Sequence, residues 1–217
     1  MNRNGAQTLL VIDDHPLFRK GVLQLVAEDG AFAIAGQASG GEEGVALAHS
    51  LHPDLILLDL NMKGMNGIAT LKALKAADAD CRVIMLTVSD NEEDLVAALR
   101  AGADGYLLKD TEPEQLLASL KAAAEGRTVL SERLTGLLAH ALRQEARPGS
   151  AADANLTDAE QRVLACIATG MSNKAIAREL DIAEGTVKVH VKHLLKKLSL
   201  RSRVEAAVWA VEHGRAA

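Results

Sequence analysis

The chain has 217 residues, 48% of them hydrophobic and 24% charged, with a formal net charge of −5. That balance permits buried cores and excludes a disordered polyelectrolyte. No apolar run approaches the length of a bilayer-spanning helix, and the polar start Met1–Gln7 is no signal peptide, so a soluble cytoplasmic protein without membrane contact is expected.

The charge is divided unevenly. Residues 1–130 hold 11 Lys and Arg against 19 Asp and Glu, a net −8, whereas residues 155–217 hold 10 against 7, a net +3. An acidic front and a basic back point to two parts with two jobs. Cys81 and Cys166 lie far apart without metal-ligand spacing and read as two reduced, buried thiols. Aromatics are scarce (Phe18, Phe32, Tyr106 and Trp209), so each position is worth asking about.

In chain order, the front half alternates strand and helix. Strands are predicted at Thr8–Ile12, Phe32–Ala38, Leu55–Leu58, Arg82–Leu86 and Gly105–Leu108. Between them run helices through Leu17, Val22, Leu25 and Val26, over Glu42–Leu51, over Gly67–Ala77 and over Glu92–Arg100. The last helix opens at Thr111-Glu112-Pro113, where the missing proline N–H costs nothing, and ends before Gly126. Five βα units predict a flavodoxin-like, doubly wound, five-stranded parallel sheet over residues 7–128.

Residues 129–154 read as a linker carrying one amphipathic helix, with Leu134, Leu137, Leu138 and Leu142 on one face. Periodicity is lost over Gln144–Asn155. Residues 155–217 read as a small all-α domain. Thr157 and Glu160 form a capping box, Ser172 caps a second helix, a third spans about Ala183–Leu198 and a fourth Ser202–His213.

Ligands in open α/β sheets sit beyond the carboxyl ends of the strands. Those ends carry Asp13 and Asp14, then Asp59, Thr87 and Lys109. Three converging carboxylates repel one another and call for a hard cation, for which oxygen ligands select Mg²⁺. With that charge neutralised, one carboxylate can attack a phosphoryl group, while Thr87 and Lys109 bind its oxygens.

In the third helix of the back half, Val187, Val191, Leu194, Leu195 and Leu198 share one face. Lys188, Val189, Lys192, His193 and Lys196 share the other. A charged face is usually only solvated, but an apolar Val189 between lysines suits a major groove, where it can touch a thymine methyl. The preceding helix and the turn Asp181–Glu184 complete a helix-turn-helix.

The acidic pair, Asp59, Thr87 and Lys109, in this order at successive strand ends, resemble the response-regulator receiver domain. The resemblance implies that Asp59 accepts phosphate from a sensor histidine kinase. Asp14 and Asp59 would bind Mg²⁺ with the Asn61 carbonyl, and Asp13 would support that shell. Tyr106 matches the usual switch aromatic, and a plain core tyrosine explains it equally well. Lys63 replaces a usual proline, which implies a looser loop beside the metal.

Leu156–Trp209, with Ser172–Ala177, Thr186–His190 and Ser202–Ala206, resembles the LuxR-type DNA-binding domain. That resemblance adds Thr186 to the DNA-facing residues. Ala183 stands where Ser or Thr commonly caps the recognition helix, at a cost of about 1 kcal/mol. The two domains together resemble the NarL/FixJ family. This implies a transcription factor that binds double-stranded promoter DNA as a homodimer through its last helix and acts on RNA polymerase. It also implies a receiver that packs against the recognition helix when unphosphorylated.

Two enzyme readings fail on particular residues. A dehalogenase-like phosphatase needs a second Asp two residues after its nucleophile, where Asn61 stands; a dinucleotide site needs a glycine-rich turn, where Asp13-Asp14-His15-Pro16 stands. A ligand-regulated DNA-binding module lacks the aromatics for a pocket.

Overall fold

The computed structural model describes residues 7–77, 82–144 and 154–213. Strands β1 (Gln7–Ile12), β2 (Phe32–Ala38), β3 (Leu55–Leu58), β4 (Arg82–Thr87), β5 (Gly105–Leu108) and β6 (Val129–Leu130) form one parallel sheet in the order β2-β1-β3-β4-β5-β6. The expected five strands are present, and the sixth corrects the count. A two-residue strand has no period to read, and it forms because Val129 and Leu130 pair with Gly105 and Tyr106.

Helices α1 (Pro16–Asp29), α2 (Gly41–Leu51), α3 (Gly67–Ala77), α4 (Glu92–Arg100) and α5 (Pro113–Ala124) cover both faces of the sheet. The four residues of β3 are at most 1% exposed, as the centre of a parallel sheet requires. On α1, Val22 and Val26 are buried against the sheet, while Leu17 in its first turn is 88% exposed.

The helical part comprises α6 (Glu132–Gln144), α7 (Asp158–Ala168), α8 (Asn173–Leu180), α9 (Glu184–Lys197) and α10 (Arg203–His213). The capping box forms: Glu160 N–H donates to Thr157 Oγ1 at 3.3 Å, and Thr157 N–H donates to Glu160 Oε2 at 2.8 Å. Glu160 is buried, and Lys197 Nζ lies 2.7 Å from it, tying the end of α9 to the start of α7. Ser172 caps α8 by accepting from the Ala175 N–H. Cys166 is buried, which raises its thiol pKa. Cys81 and residues 145–153 of the expected linker lie outside the described residues.

Leu134 and Leu138 of α6 are fully buried, and α6 packs against both α4 and α10. One apolar cluster therefore runs from the α2–α3–α4 face of the sheet through α6 into the helical domain. The cluster under α1 and α5 stays within the receiver. Arg100 Nε at the end of α4 lies 3.9 Å from the buried Glu205 of α10.

This docking corrects the expectation that the receiver covers the recognition helix. Lys188, Val189 and Lys192 of α9 are exposed, Val189 by 50%. The apolar stripe of α6 decides the geometry by drawing α10, rather than α9, toward α4.

Candidate functional site

The carboxyl ends of β1, β3, β4 and β5 bring the expected polar residues together. Asp13 and Asp59 are each 2% exposed and Thr87 is fully buried. Lys109 Nζ lies 2.8 Å from Asp13 Oδ2 and 3.0 Å from Asp59 Oδ2, and 4.8 Å from the centre of the Phe18 ring. A cation between two buried carboxylates lowers their mutual repulsion, and the aromatic face adds to its stabilisation.

Asp14 is half-buried at the rim. Ligand atoms of Asp13, Asp14, His15 and Asp59 all lie within 4.8 Å of one another. Asp14 Oδ1 and Asp59 Oδ2 are buried, and their near neighbours are His15 Nδ1, 3.0 Å from Asp14 Oδ1, and Lys109 Nζ, 3.0 Å from Asp59 Oδ2. Carboxylate oxygens converging on one point are the donor set that a hard divalent cation takes. The acidic cluster fits Mg²⁺ on that ground.

Asn61 is exposed; its backbone N–H reaches Asp59 Oδ1 at 3.4 Å and its side-chain amide reaches Thr87 Oγ1 at 3.5 Å. Gly67 lets α3 start against this loop: a Cβ there would stand 2.3 Å from the Asp59 carbonyl oxygen. Tyr106 is fully buried, its hydroxyl donates to the Ser89 carbonyl at 3.0 Å, and burial pushes its pKa above the ordinary phenol value.

On α9 the two faces separate as the period requires. Val187, Leu194 and Leu198 are fully buried, while Thr186, Lys188, Val189, Lys192 and Lys196 are exposed. Ala183 makes no side-chain cap.

Residues 9–121 match the response regulator receiver domain, and residues 154–210 match the bacterial regulatory proteins of the luxR family. The sequence is 55% identical over 210 residues to the nitrate/nitrite response regulator protein NarL of Escherichia coli K12, covering 96% of this chain and 97% of that protein. The chain belongs to the NarL/FixJ family of response regulators. It is 48% identical to the nitrate/nitrite response regulator protein homolog of Haemophilus influenzae, with 95% of this chain and 97% of that protein covered. A crystal structure of the response regulator ChrA, of a heme-sensing two-component system, aligns with a TM-score of 0.53 at 30% identity, covering 96% of this chain and 98% of ChrA.

Within this response regulator, three groups near the acidic site escaped the reading of the sequence. His15 Nδ1 lies 3.0 Å from Asp14 Oδ1 and 3.7 Å from Asp59 Oδ2, and its position directly after the acidic pair was the available signal. Phe18 lies under Lys109, and its rarity as an aromatic flagged it without saying why. Ser89 links Thr87 to Tyr106: its N–H donates to Thr87 Oγ1 at 3.2 Å, and its carbonyl accepts from the Tyr106 hydroxyl.

Lys63 also differs from its expectation. Its backbone N–H donates to Asp14 Oδ2 at 3.1 Å, a bond that proline has no N–H to make. The loop is tied to the acidic pair rather than loosened from it.

Proposed function

We propose that a sensor histidine kinase phosphorylates Asp59, and that the phosphorylated protein binds promoter DNA as a homodimer and regulates transcription through RNA polymerase. In this reading residues 7–128 are the receiver, 129–154 the linker with its helix, and 155–217 the DNA-binding domain. The observation that carries it is the buried Asp59 carboxylate, 3.0 Å from Lys109 Nζ and converging with the ligand atoms of Asp13 and Asp14. Asp59 attacks phosphorus, the P–N bond to the kinase histidine breaks, and a P–O bond forms. Lys109 and Thr87 take the transferred oxygens. Asp14, Asp59 and the Asn61 carbonyl hold Mg²⁺, with Asp13 supporting them; when bound, the ion neutralises the carboxylates and the incoming phosphoryl charge.

Phosphate adds roughly −1.5 to −2 charge at Asp59. Thr87 turning toward it breaks the bond from Ser89, and Tyr106 loses its fixed acceptor. That change is felt along α4, where Arg100 and the α6 contact hold α10. Since the recognition face of α9 is already exposed, release of α10 for pairing carries the switch. Lys188, Val189, Lys192, Thr186 and Lys196 then meet the major groove and its phosphates. The similarity to nitrate/nitrite regulators supports a role at nitrate- and nitrite-responsive promoters, in the cytoplasm.

Radiolabelled phosphate transfer from an autophosphorylated histidine kinase tests this directly. Transfer that requires Mg²⁺ and raises operator affinity is expected. Operator affinity unchanged by full phosphorylation would refute the switch.

A further inference from the structure

The docked domains enclose a cleft of about 250 Å³ that phosphoryl transfer does not use. Lys75, Arg82 and Arg127 line it from the receiver side, Arg201 and Arg203 from the start of α10, and Asp104 is the one carboxylate among the described residues that line it. Asp104 is already engaged, 2.8 Å from Lys75 Nζ and accepting the Val83 N–H. Arg127 pairs with Glu125 outside the cleft.

Among the described residues, Arg82 donates to the Ala123 and Ala124 carbonyls, and Arg203 to Asn173 Oδ1 and the Met171 carbonyl. These are neutral acceptors. Arg203 Nε is buried and has no acceptor at all among the described residues. Burial lowers the Arg203 guanidinium to a pKa of about 10; Asp104 opposes the shift and the like charge of Arg82 adds to it. The two domains thus bring Arg82 and Arg203 face to face, with Asp104 and Asp54 in electrostatic reach but no carboxylate hydrogen-bonded to either among the described residues. Gly126 sets how closely they approach: a Cβ there would stand 2.6 Å from Ser172 Cβ and 3.0 Å from the Arg82 guanidinium.

We propose that this interdomain cleft binds a compact polyphosphate anion, of the size of pyrophosphate or of the phosphate chain of a nucleotide. Guanidinium forks match phosphate oxygens in geometry and charge. The volume lies below the roughly 300–1,000 Å³ of pockets that enclose whole drug-sized ligands, so a nucleoside portion would extend into solvent. An anion touching both domains binds the docked arrangement better than the parted one, and by linkage it opposes opening.

Calorimetric titration of the full-length protein with pyrophosphate tests this, at constant ionic strength and without divalent cations. The Asp59→Asn and Lys192→Ala variants separate the cleft from the acidic site and from the DNA face. One pyrophosphate per chain is expected, with unchanged affinity in both of those variants. Arg127→Gln and Arg201→Gln, exposed positions on opposite sides of the cleft, should each weaken binding about tenfold, as loss of one charge-assisted contact does. No saturable binding would overturn the proposal. So would binding that survives both arginine substitutions, or that is lost in Lys192→Ala.

Discussion

The acidic site and the recognition helix are built in opposite ways. The acidic site gathers Asp13, Asp59, Thr87 and Lys109 from the carboxyl ends of four strands into a nearly dry pocket, where each charge depends on its neighbours. The recognition face lies on one helix and is exposed, and its residues are carried by the buried Val187, Leu194 and Leu198 beneath them. Substitutions in the first region should therefore couple chemistry to stability, and those in the second should separate function from stability.

The largest effect is expected at Asp59. Asp59→Asn should abolish acyl phosphate formation, because a carboxamide is a poor nucleophile and a weaker cation ligand. Mass spectrometry after incubation with a phosphorylated kinase would read this, and stoichiometric phosphate in the variant would move the site elsewhere.

Next comes Lys109→Ala, which leaves Asp13 and Asp59 buried without their shared cation. Removing one partner of a buried charge cluster costs about 3–5 kcal/mol. Thermal unfolding without divalent cations should show that loss, and added Mg²⁺ should restore part of it. An unchanged melting temperature would mean that the pocket admits water and is not the coupled unit described above.

Lys192→Ala sets the opposite limit. Operator binding should weaken by roughly 1–3 kcal/mol if the ammonium reads a base. The melting temperature should stay the same, since Lys192 is exposed. Both affinities must be taken at one salt concentration. Equal loss on random DNA would make it a phosphate contact, and a drop in melting temperature would remove the contrast between the two regions.

How much of each region the sequence reveals follows from the same difference. The α9 faces follow from a local period, so Val189 could be picked out from the chain alone. The acidic residues were legible because each directly follows a strand and the topology brings strand ends together. What stayed hidden depends on contacts distant in sequence or on atoms that residue names do not distinguish. Val129–Leu130 becomes a strand only beside Gly105 and Tyr106. The Lys63 loop is fastened by a backbone N–H, which a comparison of side chains passes over. The docked face of the helical domain depends on where α6 packs, and nothing in the α9 sequence reports that.

A smaller effect separates two helix starts within the DNA-binding domain. Glu160 is buried, which raises its carboxyl pKa, but Lys197 and the Thr157 cap outweigh burial and hold it below its ordinary value of 4.5. A depressed folded-state pKa contributes stability that is present above the unfolded value and lost as pH falls through the folded one. The protein should therefore lose this contribution as pH drops below about 4.5. Glu160→Gln should flatten that part of the stability curve. A curve of unchanged shape would mean that the ion pair with Lys197 contributes nothing.

The smallest expected effect lies at Ala183, the N-cap of the recognition helix itself. Its backbone is extended there, with φ −67° and ψ 145°, as capping residues require, yet it offers no side-chain oxygen to the free N–H groups of the first turn. Ala183→Ser supplies one without changing the backbone. It should stabilise the DNA-binding domain by about 0.5–1 kcal/mol. Ala183 is exposed, so the added hydroxyl leaves the core untouched. Chemical denaturation reads the gain, and operator affinity of the same variant reads its consequence. If the face of α9 is already rigid, stability rises and affinity holds. If both rise together, the first turn frays in the free protein and DNA binding orders it, so the recognition face would share the coupling to stability ascribed above to the acidic site alone.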